Sequence, residues 1–165
     1  MVGAFLGAGF VAGQSALVIA SVEHRPAIAA TLESLSFSLD RLRTTGRLIF
    51  LDANVTLDSV MIHDSPDPVR FESVVGSAIG HCGAANPCGL RAYDDMSDLL
   101  SRRNLLPAAT RLESLWNRLL ASHRCDLLCG HSVGAGLQVR SKQSLCASHG
   151  YVLADNGMPH PVRGE

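Results

Sequence analysis

Short, wholly apolar runs alternate along this chain with longer stretches of helical period, and that alternation predicts an α/β domain. Residues 16–20 (ALVIA) and 47–53 (RLIFLDA) carry almost no polar positions, which suits strands buried on both faces of a parallel sheet. Two further runs, 90–93 and 125–129 (CDLLC), read the same way. Between them the apolar spacing predicts helices over 2–12, 27–39, 56–62, 69–81, 98–104 and 107–123. Pro26 and Pro107 stand where a first helical turn tolerates proline. The stretch Asp64-Ser65-Pro66-Asp67-Pro68 reads as a turn, 82–89 and 130–136 as glycine-containing loops, 141–148 as a short helix and 151–153 as an edge strand. The expected organisation is one domain over 1–154 and a disordered tail over 155–165. At 165 residues the chain can bury a core of its own.

Composition narrows the function classes. A net charge of -1, with arginines scattered rather than clustered, argues against direct contact with nucleic acid. Five cysteines cannot form a complete intramolecular disulfide set, so reduced thiols in the cytoplasm are expected. Residues 2–20 are apolar enough to suggest a membrane span or signal peptide. The absence of a basic leader, four glycines and the polar step Gln14-Ser15 favour a buried helix followed by a strand instead.

Several patterns invite an enzyme reading. Gly7-x-Gly9-x-x-Ala12 has the letters of a dinucleotide-binding loop, but no strand precedes it and no acidic residue closes a strand at the needed distance. Gly130-His131-Ser132-Val133-Gly134 follows the run CDLLC and fits the elbow that lifts a nucleophilic serine. The remaining chain is short for the acid and base of a triad, and Asp155 and His160 fall in the expected tail, so a hydrolase using Ser132 is the alternative reading. Cys129, Cys146 and His149 could ligate a metal, though paired C-x2-C knuckles are missing. ATP hydrolysis is excluded more firmly. The only lysine, Lys142, lies in no phosphate-binding loop. Asp52 and Asp95, at or just past strand ends, suit either ligand contact at the C-terminal edge of the sheet or capping of the next helix.

Seven segments, taken in order, resemble the MEDS domain, a sensory domain of methanogen and methylotroph regulators. They are ALVIASVEHRPAI (16–28), GRLIFLDANVTLDSVM (46–61), PDPVRFESVVG (66–76), LRAYDDM (90–96), RLESLWNRL (111–119), DLLCG (126–130) and SLCASHGYV (144–152). The resemblance implies a RecA/KaiC-like parallel sheet flanked by helices, without a P-loop and without the family's usual first strand, since the chain opens on the first helix. It implies a non-catalytic module with no cofactor, sensing a hydrocarbon-derived or one-carbon molecule. Its expected partner is a histidine kinase or transcription regulator, with neither nucleic acid nor membrane contacted directly; self-association into a homo-oligomer is a further expectation. By position, His24, Arg25, Asp52, Arg91, Asp95, Trp116, Asn117, Cys129 and His149 match the family's recurring polar or aromatic positions. Two local departures stand out. Asp94-Asp95 replaces a Gly-Glu step, and His131-Ser132 replaces an aromatic-proline pair, which is what creates the elbow-like pattern.

Overall fold

The computed structural model describes residues 1–84 and 88–131, together with the backbone of 151–153 and 159–161. Its centre is a parallel sheet of β1 (Ser15–Ala20), β2 (Leu48–Asp52), β5 (Leu90–Asp94) and β6 (Cys125–Cys129), in the order β2-β1-β5-β6. The four apolar runs are these four strands. β1 is buried at every residue, which is why its sequence shows no polar alternation.

Helices cover both faces. α1 (Val2–Val11), α2 (Arg25–Ser34) and α3 (Leu39–Thr44) pack on one, where Leu6, Phe10, Val18, Leu32 and Tyr93 meet. On the other lie α4 (Ala53–Val60), α5 (Pro68–Phe71), a π-helical turn (Glu72–Gly76), α6 (Ser77–Ala84), α7 (Met96–Arg102) and α8 (Leu106–Ser122). Ile19, Leu57, Phe71, Leu100, Leu112 and Trp116 join in that second core. Phe71 and Trp116 meet edge to face, 5.5 Å between centroids at 82°, a geometry favoured by the ring quadrupoles.

The elements depart from the sequence pattern in several places. The helix expected over 27–39 divides, because Ser36 adopts a φ of 67° and Ser38 then caps α3 by accepting from the Arg41 amide. The helix expected over 56–62 starts earlier, at Ala53, where Asp52 caps it. In place of a simple turn at 64–68, β3 (Met61–Ile62) and β4 (Ser65–Pro66) form a small hairpin, after which Asp67 caps α5. The expected strand at Tyr151–Leu153 (β7) pairs antiparallel with β8 (Pro159–Pro161). β8 falls within the stretch expected as a tail; the other residues of that stretch, and the helix expected over 141–148, lie outside the described residues. Among the described residues no helix is long and apolar enough to cross a membrane. The apolar stretch 2–20 is divided between α1 and β1.

Strand order places a crevice. From β1 the chain moves outward to β2 across the face of α2 and α3, whereas from β5 it moves the opposite way to β6 across the face of α7 and α8. Connections that diverge from neighbouring strands leave an opening at their C-terminal ends, where open α/β sheets hold ligands. Here that opening lies between β1 and β5.

Candidate functional site at the diverging strand ends

Ser21 follows β1 and Asp95 follows β5, and the two meet at this point. The Ser21 amide donates to both carboxylate oxygens of Asp95, at 3.1 and 3.0 Å, and its hydroxyl donates to Oδ2 at 3.0 Å. The Asp95 amide donates in turn to the Ile19 carbonyl at 3.2 Å. Both residues are buried. A buried carboxylate needs such donors, and here the residue that follows β1 supplies them from its backbone amide and its hydroxyl.

His24, the residue before α2, lies 2.7 Å through Nδ1 from Asp95 Oδ2 and is 44% exposed. The Asp95 carboxylate is an acceptor already engaged by the Ser21 amide, so Nδ1 carries the proton and donates to it. In the neutral ring Nε2 is then an acceptor, and it has no hydrogen-bond partner among the described residues.

His24 also lines a cleft of about 370 Å³. Val2 and Gly3 of α1, Ala27, Ile28 and Thr31 of α2, and Tyr93, Gly130 and His131 form much of its wall. Gly130 is required there, because a side chain would collide with the Tyr93 hydroxyl. Burial, reinforced by Asp95 and Asp94, pushes the Tyr93 phenol well above its ordinary range and keeps it a neutral O–H.

A second set of acids lies behind the cleft on the other face of the sheet. Asp94 is fully buried; its Oδ2 accepts from Trp116 Nε1 at 3.0 Å and its Oδ1 from the Met96 amide at 3.2 Å. Burial, then the neighbouring Glu113 and Asp95, hold its carboxyl well above the usual range. Glu113 of α8 is buried too, with Cys129 Sγ 3.6 Å from Oε2 and His131 Nε2 3.8 Å from Oε1. Burial together with Glu113 and Asp94 keeps the Cys129 thiol protonated. Asp98, also buried, pairs with Arg102 at 3.1 Å.

The structure therefore brings together only some of the residues expected from sequence. His24 and Asp95 are in direct contact. Arg25 and Asp52 form their own pair at 2.7 Å beside β2, and Asp52 also caps α4 through Val55. The Val55 amide, first, and Arg25 lower the Asp52 pKa. Cys129 stands opposite Asp94 in the β5–β6 register. Arg91 is at the other end of the sheet: it donates to Gln14 Oε1 at 2.9 Å and to the Phe5 carbonyl at 2.6 Å, and stacks on the Phe5 ring. Arg91 therefore lies away from Asp95. Trp116 is sealed in the core and Asn117 faces outward from α8. His149, Ser132 and Cys146 lie outside the described residues, and among the described residues no cluster of three metal-ligating side chains occurs.

Sequence reasoning passed over Ser21, Tyr93, Asp94 and Glu113. Two of these left a signal. Asp94 closes an apolar strand as half of an acid doublet, and Glu113 falls on the stripe of α8 that buries Ala109, Leu112 and Trp116. Nothing in the sequence marks Ser21, whose role depends on a strand distant along the chain.

Comparison with curated proteins and with solved structures gave no match. The sequence does match the family described as MEDS, methanogen/methylotroph, DcmR sensory domain, over residues 1–136. That span holds His24, Asp95 and the whole wall of the cleft. With a matching parallel α/β sheet and a family match over most of its length, this chain belongs to the MEDS family of sensory domains.

Proposed function

We propose that this chain is a non-catalytic small-molecule sensor whose ligand occupies the cleft beside His24. The observation that carries the reading is the imidazole at the strand divergence, fixed on one side by a buried carboxylate and open on the other. A side chain held that rigidly is pre-organised for recognition, and little conformational entropy is lost when a ligand engages it. The cleft is mostly apolar and carries few polar groups, the usual chemistry of small-molecule sites. The proposed ligand is a hydrocarbon-derived or one-carbon compound, and the output partner a cytoplasmic histidine kinase or transcription regulator.

The test is an amide NMR titration of the whole chain with a broad panel of small alcohols, halides, ketones, acids and amines. A true ligand perturbs the signals of residues 24, 27–31, 93 and 130, and the response disappears in His24→Leu. Compounds that act only elsewhere, or a silent panel, would sink the reading.

A further inference from the structure

We infer that the outer face of α1 is a contact surface for a second copy of this chain, which docks on it antiparallel.

The helix has no polar side chain: its sequence is VGAFLGAGFV. One side is buried in the domain through Leu6, Gly7, Gly9 and Phe10. The other side, Ala4, Ala8 and Val11, faces solvent, and Met1 at the N-cap continues the stripe. Val11 is 81% exposed and Met1 54%, so no described residue covers them. Leu35, itself half-exposed, stands beside Gly7 and widens the patch. A helix that faces water ordinarily turns polar residues to it. Two other helices of this domain do so: α8 exposes Arg111, Ser114, Asn117 and Arg118, and α3 exposes Asp40, Arg41 and Arg43. An apolar outer face on α1 alone marks a surface that gains by losing its water to a partner.

A second copy fits because the stripe is its own complement. Positions 1, 4, 8 and 11 are spaced three, four and three, the spacing of a coiled-coil seam. Read backwards, both the spacing and the order of sizes are unchanged: large, small, small, large. A two-fold contact requires such a patch, since each surface must fit its own image. Two copies meeting antiparallel set Ala4 of one against Ala8 of the other, and Met1 against Val11. The alanines let the helix axes come close, and the opposed macrodipoles attract. With no charge in the helix, no like charges meet across the axis. The helix is only about 15 Å long. Such a contact covers less than the roughly 800 Å² per partner of a standard interface, so the dimer is weak and reversible, with a Kd on the order of 100 µM.

The test is sedimentation velocity and amide NMR on the full chain from about 10 µM to about 1 mM, a span over which mass action drives such an equilibrium. The mean mass should rise from that of one chain toward two, with the signals of residues 4, 8 and 11 shifting in step. This dilution series needs no variant. Ala8→Glu should weaken association about tenfold or more, because it buries an unpaired carboxylate in the contact. Ala4→Glu combined with Ala8→Lys should restore it, since antiparallel docking sets the new acid of one copy against the new base of the other. A chain that stays monomeric throughout overturns the proposal, as does association that Ala8→Glu leaves intact. A double variant that stays monomeric overturns the antiparallel arrangement. If the monomer instead floats with phosphatidylcholine vesicles, the face belongs to a lipid surface and the dimer falls.

Discussion

The two ends of the central sheet are both rich in polar side chains, and they use them for opposite purposes. At the N-terminal end the polar groups are arginines. Arg47 donates to the Phe10 and Gln14 carbonyls, while Arg91 reaches Gln14 and the Phe5 carbonyl and so ties α1 to β5. Gly9 exists to admit this tie, since a Cβ there would meet Arg91 Cδ at 2.7 Å. At the C-terminal end the polar groups are carboxylates, satisfied by Ser21, His24, Trp116 and backbone amides. The first end closes on itself. The second leaves one imidazole nitrogen facing a cleft, so the density of charge does not mark the site; a remaining acceptor on a fixed side chain does.

Substitutions can break this contrast, beginning with the largest expected loss of stability. Arg91→Ala removes two hydrogen bonds and a ring contact at once, and should cost about 2–3 kcal/mol in urea unfolding. Ligand affinity should change far less than in His24→Leu; an equal loss of binding would erase the distinction between the two ends.

Asp52→Ala removes the cap of α4, with an expected cost of about 1 kcal/mol. Asp94→Asn sharpens the C-terminal end through its pH dependence. The folded-state pKa of Asp94 is raised, so over the interval above the ordinary value of 3.8 the folded chain holds a proton that the unfolded chain releases. This contribution to stability is complete below that value and is lost as pH rises toward the folded pKa. In the variant, the fall in the urea midpoint between pH 5 and pH 8 should shrink; an unchanged fall would show that Asp94 is not held protonated.

Arg25→Ala should cost less than about 1 kcal/mol, because the pair with Asp52 is about one-third exposed on each side. Smallest of all in stability is His24→Leu, expected within about 0.5 kcal/mol of wild type and yet abolishing the ligand response. A large destabilisation there would recast His24 as a structural residue.

Much of this fold was legible because the strands are buried on both faces and therefore read as unbroken apolar runs. Boundaries were less so. Ser36 divides α2 from α3 through a positive φ that a serine does not announce, and the 61–66 hairpin depends on pairing rather than propensity. The strand-end rule pointed to Asp52 and Asp95 and the family resemblance to His24 and Arg25; of these, His24 and Asp95 meet at the strand divergence, while Arg25 and Asp52 pair beside β2. Arg91 was displaced to the opposite end because its position is decided by depth within the strand: it is the second residue of β5, whereas Asp94 is the last. Neither the Ser21–Asp95 bond nor the Asp94–Trp116 bond could be read locally, since each joins elements far apart in sequence.

The Trp116–Asp94 bond has a practical consequence. Trp116 is the only tryptophan in the chain, and its indole N–H ends on the carboxyl that directly precedes Asp95. Excitation redistributes electron density across an indole ring, so its emission wavelength follows the charge beside it. The protein thus carries an optical reporter one peptide unit from the residue that fixes His24. Occupancy of the cleft that shifts β5 or moves a proton onto or off Asp94 will change the colour of the intrinsic emission, and sensing becomes measurable without any added dye.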